Sequence, residues 1–308
     1  MKQNDWQGFI IAIVLFVLAA IVPLIANGYQ LSVAVTAIMY LGLATSWALF
    51  SGPTHYISLA SGAFFGVGGY LVATGMSDYN LSFWLMAAIA PFVAAILAIL
   101  IGLATLRLSG VYFVIFTLGL AEMVRNLVSW IQNNFLGSRG LYVLTDFTEA
   151  HIYWMLLGVC AFIFIFGWWL GRSKLGFALR IIGNDEAVAK HVGINTAWSK
   201  VILFMTTGFF AALIGAIIAP RYSYIEPNQV FSPELSFLVV IMALLGGTQR
   251  LWGPLVGVIP FTLVWEFINS NFSNFSTLFL GLVFLLIVYV IPHGFVGLLQ
   301  KWGAKIRT

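Results

Sequence analysis

Charged residues are scarce in this chain. Asp, Glu, Lys and Arg make up 8% of its 308 residues, against about 25% in an ordinary soluble domain. A water-soluble fold of this length could not cover its surface with so few ionisable groups. Hydrophobic residues make up 61%, and apolar stretches of about 20 residues, long enough to cross a bilayer as a helix, recur along the whole sequence. The scarcity of charge therefore excludes a soluble protein and indicates a chain whose main solvent is lipid.

Residues that catalysis and metal binding require are also few. The single cysteine, Cys160, lies among apolar residues and supports neither an internal disulfide nor a thiolate metal site. The four histidines are dispersed without ligand spacing, and no Gly-x-Ser-x-Gly nucleophile motif occurs. The net charge of +4 comes from basic residues scattered between hydrophobic stretches, so it does not indicate nucleic-acid binding. We therefore expect neither an enzyme nor a metal or cofactor site.

The hydrophobic stretches predict an all-α polytopic membrane protein with about ten transmembrane helices in one domain, residues 1–308. Each span must be helical, because unpaired backbone groups are too costly in hydrocarbon. The eighth and ninth are short and flank Gly246-Gly247 and Gly253-Pro254. The predicted spans are residues 8–26, 31–51, 57–76, 82–106, 109–131, 151–171, 201–219, 235–247, 254–269 and 276–292.

Lysine and arginine predict the orientation, because they accumulate on the cytoplasmic side of membrane proteins. Ten spans with both termini in the cytoplasm leave only Arg139 and Arg221 outside and Arg125 within a span. The cytoplasmic side then receives the other eleven of the fourteen basic residues: Lys2, Arg107, Arg172, Lys174, Arg180, Lys190, Lys200, Arg250, Lys301, Lys305 and Arg307.

Residues 172–200 form the one substantial charged loop on that side, and its second half predicts a short helix. Asn184 can cap the helix start, and Asp185 and Glu186 suit the positive end of the helix dipole. Ala187 and Ala189 continue the helix, and Gly193 can take the left-handed stop. About nine residues give a rod about 14 Å long. A helix at the membrane surface with no partner is an equally open interpretation.

Several segments carry a family resemblance. The loop residues Ser173, Leu175 to Arg180, Glu186, Ala187, Ala189 and Gly193-Ile194 resemble the coupling loop of branched-chain amino acid permeases of the LivM type. Three further matches follow in the same order along residues 50–300. They are Ser58-Leu59 with Ala63 to Tyr70, Arg107 to Phe113 with Thr117-Leu118 and Glu122, and Leu245-Gly246-Gly247 with Gly253-Pro254, Gly257, Pro292, Gly294 and Gly297.

The resemblance implies the permease subunit of a bacterial importer in the inner membrane, built like a type II ABC importer with a cytoplasmic coupling helix. It implies a second homologous permease, two cytoplasmic ATPases that bind ATP and Mg, and an extracytoplasmic substrate-binding protein as partners. The chain has no Gly-x-x-x-x-Gly-Lys-Ser/Thr phosphate loop, so ATP would bind to the partners. The solutes of this family are small and polar, with branched-chain amino acids first.

Two groups of residues are candidates for the solute pathway or its gate. Gly62, Gly66 and Gly69, with Gly246 and Gly247 in the second half, fit either close helix packing or a pore-lining role. Glu122 and Arg125 are three residues apart and can pair on one helix face, as a structural ion pair or as part of a gate. Glu266 has no obvious partner in the sequence.

The sequence thus favours an ATP-driven permease subunit over a stand-alone secondary transporter or channel. The second hypothesis expects more ionisable groups in mid-membrane than Glu122, Arg125 and Glu266. A membrane-embedded enzyme would need a cluster of His, Asp or Cys near one interface, which the sequence does not contain.

Overall fold

The computed structural model describes residues 4–105, 108, 110–136, 140–248, 250–272 and 275–290. Within these residues the chain is helical, as predicted, apart from a two-stranded ribbon. The helices are α1 (Asn4–Ile25), α2 (Gly28–Thr54), α3 (Ser61–Ser77), α4 (Phe83–Thr105), α5 (Val111–Ile131), α6 (Glu149–Arg172), α7 (Lys174–Asn184), α8 (Glu186–His191), α9 (Thr196–Ile218), α10 (Pro227–Val230), α11 (Pro233–Gly246), α12 (Gly253–Asn271) and α13 (Ser276–Val290). Several residues used in the sequence analysis lie outside the described ones: Lys2, Arg107, Ser109, Arg139, Pro292, His293, Gly294, Gly297, Lys301, Lys305 and Arg307.

Six of the described helical segments are long and apolar enough to cross a membrane. This number supports a multi-pass membrane protein but does not confirm the predicted count of ten spans. The difference comes partly from short helices, since α3 has 17 residues and α13 has 15, whereas about 20 residues cross the hydrocarbon core. The six segments are Gly28–Thr54, Phe83–Thr105, Val111–Phe135, Glu149–Arg172, Thr196–Arg221 and Pro227–Gly246.

The second helix, α2, lies at the centre of the fold. It packs against α6, α9, α11 and α12, and 78% of its most apolar stretch is buried. Its side chains are apolar all around, which is the pattern of a helix enclosed by other helices. α2 therefore acts as the axis around which the other spans are placed.

Glycines allow α3 and α9 to pack closely. A side chain at Gly68 would meet the Ala212 carbonyl oxygen, and one at Gly215 would meet the Phe65 carbonyl oxygen. Such backbone approach is the usual role of small residues between membrane helices. Since α9 also packs extensively against α4, helices α3, α4 and α9 form one tightly packed layer.

A two-stranded ribbon and the side chain of Arg221 connect the loops on the predicted outer side. Strands β1 (Leu141–Tyr142) and β2 (Tyr224–Ile225) pair antiparallel. Arg221 donates to a Glu149 carboxylate oxygen at 3.3 Å, to the Thr36 hydroxyl at 2.9 Å and to the Ser32 hydroxyl at 2.6 Å. Arg221, which the sequence analysis places on the outer side, therefore connects the end of α9 to α6 and α2.

Candidate functional site

The predicted cytoplasmic loop 172–200 contains two successive helices rather than one. Ser173 caps α7, and its hydroxyl oxygen accepts a hydrogen bond from the Gly176 amide at 3.1 Å. α7 then runs to Asn184, and α8 begins directly after Asp185. The prediction that Asn184 caps the coupling helix is therefore wrong, because Asn184 is the last residue of α7.

The residue that caps α8 is Asp185. Its carboxylate accepts hydrogen bonds from the amides of Ala187 at 2.8 Å and Val188 at 3.1 Å. The helix comprises the six residues Glu186–His191, about 9 Å of rod rather than the expected 14 Å. The stop at Gly193 is as predicted, with a left-handed φ of +81°.

The first residue of α8, Glu186, is held by side chains from other parts of the chain. The Lys200 ammonium donates to both carboxylate oxygens at 3.1 Å. The hydroxyls of Tyr56 and Thr196 donate to the same carboxylate at 3.0 Å and 3.2 Å. Lys200 and Thr196 belong to α9, and Tyr56 belongs to the loop between α2 and α3. We call Glu186, Lys200, Tyr56 and Thr196 the α8 junction.

Lys200 is buried, although the sequence placed it among the cytoplasmic loop charges. Its side chain is 2% exposed, and its ammonium lies 4.6 Å from the centre of the Tyr56 ring. A buried ammonium costs several kcal/mol of desolvation unless a counter-charge and hydrogen bonds compensate it. Glu186 and the Tyr56 oxygen supply that compensation, so Lys200 fixes where the start of α8 must lie.

Contacts within the α8 junction determine the protonation states of Glu186 and Tyr56. Burial alone would raise the pKa of Glu186, but hydrogen bonding and charge from Lys200, with smaller effects of Tyr56 and Lys190, hold it below its ordinary 4.5. Burial, then the hydrogen bond to Glu186 and its negative charge, raise the pKa of Tyr56 to about 12. Near neutral pH the carboxylate is thus ionised and the phenol keeps its proton, which is the state that the hydrogen bonds require.

A second attachment lies at the corner between α7 and α8. A ring nitrogen of His55, just after α2, is 2.9 Å from the Gly183 carbonyl oxygen. The backbone at Gly183 is so close to α2 that an added side chain would meet the Pro53 carbonyl oxygen. These contacts hold the turn between α7 and α8 against the C-terminal end of α2.

The loop that carries Tyr56 also contacts α5. The Tyr56 ring packs edge-on against Phe113, with ring centres 5.3 Å apart. Further along the same loop, the Leu59 amide donates to the Thr117 hydroxyl at 3.1 Å. Through this loop, Glu186 on α8 is linked to two residues in the first half of α5.

The opposite side of α8 presents apolar side chains without cover in the described part of the chain. Val188 is 50% exposed and Val192, one turn further, is 62% exposed. Ala189 is fully buried and holds the inner face of the helix against the protein. These two side chains leave a small apolar surface against which a partner could pack.

The third-span glycines lie against neighbouring helices. A side chain at Gly62 would come within 2.8 Å of the Ser232 carbonyl oxygen, and one at Gly66 would clash with the Phe231 ring. Gly69 is less crowded, with Gly215 at 3.3 Å. These contacts favour the close-packing interpretation, and they include no residue of the α8 junction.

The glycines of the second half join α11 to α12. Added side chains at Gly246 and Gly253 would each meet backbone oxygen of the facing segment, and the same is true of Gly257. Gly247 ends α11 with a φ of +100°, a conformation that other residues rarely adopt. A pathway role for Gly246 and Gly247 stays a prediction.

Glu122 and Arg125 form the predicted ion pair within α5, 2.5 Å apart. Both side chains are partly exposed, and only 22% of the most apolar stretch of α5 is buried. The pair therefore lies on the least covered of the six candidate spans. Whether it serves a gate or only neutralises two charges in the membrane stays a prediction.

Sequence reasoning missed Lys200, Tyr56 and His55 as partners of the coupling segment. Glu186 and Lys200 are fourteen residues apart on different helices, and Tyr56 is 130 residues away from Glu186. No helical periodicity relates such positions, since pairing rules apply to neighbours on one face. The available signal was a lysine at the fifth position of the apolar α9, where a cation requires a partner.

Known transport proteins are similar to this chain along most of its length. A sequence profile of the family described as "Branched-chain amino acid transport system / permease component" matches residues 29–289. The permease protein LivM of the high-affinity branched-chain amino acid transport system of Escherichia coli K12 is 26% identical over 316 aligned residues, covering 92% of this chain and 73% of the relative.

Sugar and autoinducer permeases are similar over shorter regions. The ribose import permease protein RbsC of Haemophilus influenzae is 26% identical over 45% of each chain. The autoinducer 2 import system permease protein LsrC of Escherichia coli SMS-3-5 is 25% identical over 58% of this chain and 55% of the relative. All three relatives are permease proteins of transport or import systems.

Proposed function

Since this chain belongs to the family of branched-chain amino acid transport system permease components, we propose that it is the membrane-spanning subunit of an ATP-driven importer in which α8 receives the motion of a separate ATPase. Residues 172–200 then face the cytoplasm, with both termini on the same side. The chain works beside a second permease, two ATPases and an extracytoplasmic binding protein.

The observation that carries this proposal is the two-sided construction of α8. Its outer face offers Val188 and Val192 to a partner, while Glu186 at its start is bonded to Lys200 and Tyr56. A force applied to the exposed face therefore acts directly on α9 and on the loop between α2 and α3. A helix resting on the membrane without a partner would not need a buried ion pair at its base.

The same attachments support a role for α5 as the responding element. α5 receives contacts from the Tyr56 loop through Phe113 and Thr117, yet it is the least buried candidate span. A helix held at one end and lightly packed along its length can shift with little loss of contact. We propose that movement of α5, which carries Glu122 and Arg125, opens and closes the solute path.

For the solute, we propose a branched-chain or similar amino acid. The amino acid permease of Escherichia coli aligns along 92% of this chain, whereas the ribose permease of Haemophilus influenzae aligns along 45%. Uptake of a sugar is the alternative that the second similarity favours. Selectivity in such a system lies largely in the binding protein, so the whole transporter must be assayed.

The proposal is tested by reconstituting the complete transporter in liposomes and measuring uptake of radiolabelled leucine and ribose. We expect leucine uptake that requires the binding protein and ATP inside the same compartment as the ATPases. Uptake by this chain alone, driven by a proton or sodium gradient, would contradict the proposal. ATP-dependent uptake of ribose but not leucine would keep the mechanism and reverse the choice of solute.

A further inference from the structure

A groove of about 540 Å³ runs between the first half of α2 and the second half of α12. α2 begins and α12 ends at this place, so the groove opens at one membrane face and extends toward the middle of the spans. In the proposed orientation this is the outer face. The volume falls in the range of about 300–1,000 Å³ that small-ligand sites occupy.

The lining of the groove changes from polar to apolar with depth. By their positions in the helices, Tyr29, Gln30, Ser270 and Asn271 lie near its mouth, Glu266 lies one to two turns further in, and Ala37 and Ile259 line the deeper part. A ligand that follows this lining must itself be polar at one end and apolar at the other. Such a ligand is an amphiphile aligned along the membrane normal.

Two polar groups inside the groove have no partner among the described residues. Thr262 is 1% exposed, and its hydroxyl makes no hydrogen bond within the described part of the chain. Glu266 forms no ion pair with any described residue, in contrast to Glu122, Glu149 and Glu186. Unsatisfied groups of this kind are uncommon in membrane helices and point to a missing partner.

The spacing of these two groups indicates what the partner is. Thr262 and Glu266 are four residues apart on α12, so they share a face, with Thr262 about 6 Å deeper. A phospholipid with an amine headgroup has a cation at its end and ester carbonyls at a similar distance below. Glu266 suits the ammonium. The Thr262 side chain lines the groove with its hydroxyl buried, and rotation about its Cα–Cβ bond would turn that hydroxyl toward an ester carbonyl.

We propose that this groove binds one phospholipid with a primary ammonium headgroup, phosphatidylethanolamine, in the outer leaflet. A helix of a partner subunit fits less well, because an apolar membrane helix brings no cation to the Glu266 carboxylate. An anionic lipid is disfavoured because its headgroup would lie against the Glu266 carboxylate. The bound lipid would fill the gap between α2 and α12 and satisfy both polar groups.

The test is native mass spectrometry of the full-length chain, purified in detergent and titrated with phosphatidylethanolamine or phosphatidylglycerol. We expect the protein to bind the ethanolamine lipid at least about fivefold more tightly. Glu266→Gln keeps the shape and removes the charge, so the preference should fall below about twofold. Thr262→Val should weaken ethanolamine-lipid binding about threefold while the preference over the anionic lipid is retained.

The matched control is Glu226→Gln, which removes an exposed carboxylate outside the groove and should leave the preference unchanged. Equal binding of both lipids by the unaltered protein, or an unchanged preference in Glu266→Gln, would overturn the proposal. So would a Leu263→Cys variant whose two copies form a disulfide-linked dimer that binds no lipid, because a second chain would then occupy the groove. Leu263 lines the groove and is exposed in the single chain.

Discussion

Helices α9 and α5 both carry charged side chains, but the two helices hold them in opposite ways. Lys200 on α9 is buried and bonded to Glu186 and Tyr56, which belong to other parts of the chain. Arg125 on α5 pairs with Glu122 of its own helix. In their most apolar stretches, 67% of α9 is buried but only 22% of α5.

The difference separates an anchored element from a free one. A buried charge that is bonded to a side chain of another element fixes the relative position of the two elements. Moving either element would expose the charge to lipid or water, or leave it without its partner. An ion pair within one helix moves with that helix and does not oppose its movement relative to the other helices. In the proposed mechanism the α8 junction therefore transmits force to α9, and α5 is the element that responds.

Breaking the α8 junction should have the largest effect on stability and on uptake. In Glu186→Gln the buried Lys200 ammonium loses its counter-charge, which costs about 3 kcal/mol or more. We expect a lower melting temperature of the purified chain and at least about tenfold less ATP-driven uptake by the assembled transporter. In the double variant Glu186→Gln/Lys200→Met the buried charge is gone, so the melting temperature should recover while uptake stays low. A double variant as unstable as Glu186→Gln would contradict the electrostatic explanation.

Glycines on the two helices provide a matched test of packing. Gly215 on α9 faces the Phe65 carbonyl oxygen, whereas an added side chain at Gly119 on α5 would meet nothing within 4 Å. Gly215→Ala should therefore destabilise the purified chain by about 1–3 kcal/mol. Gly119→Ala should leave stability unchanged or raise it by up to about 1 kcal/mol through helix propensity. Thermal unfolding of both variants checks this, and equal destabilisation would remove the distinction between the helices.

A substitution with a smaller expected effect tests the link from the α8 junction to α5. Tyr56→Phe keeps the ring that packs on Phe113 but removes the hydroxyl that donates to Glu186. Loss of one hydrogen bond to a charged group costs about 1.5 kcal/mol. We expect more ATP hydrolysed per solute imported, with ATPase activity itself little altered. A normal ratio would mean that the hydroxyl does not help to transmit the motion.

The smallest effect on stability is expected at the α5 pair. Both side chains are about one third exposed, and pairs of this kind contribute about 0–1 kcal/mol. Glu122→Gln should therefore change the melting temperature of the chain very little. A large loss of stability would show that α5 is anchored more firmly than its exposure indicates. A changed uptake rate at normal stability would instead support a gating role.

The sequence alone predicted the helical membrane fold, because apolar runs and backbone hydrogen bonding leave a spanning chain few alternatives. It also predicted the pair Glu122–Arg125 and the left-handed stop at Gly193, since both depend on neighbours in sequence. The choice between Asn184 and Asp185 as the cap could not be made that way. Both residue types cap helices well, and the outcome depends on where α7 ends.

The α8 junction could not be predicted because its members come from distant parts of the chain. Tyr56 reaches Glu186 only because the C-terminal end of α2 lies beside the N-terminal end of α9. The burial of Lys200 follows from that packing and not from its local sequence. The unpartnered Glu266, by contrast, stood out in the sequence, and the structure adds the groove and the Thr262 hydroxyl beside it.

The most direct test of the coupling role of α8 is the reactivity of a cysteine introduced at Val188. The described part of the chain offers a clean background, since its one cysteine, Cys160, is buried. In inverted membrane vesicles containing Val188→Cys, a membrane-impermeant maleimide should label the chain, and added ATPase subunits should protect it. Labelling of intact cells from outside, or equal labelling with and without the ATPases, would contradict the assignment of α8 as the element that receives their motion.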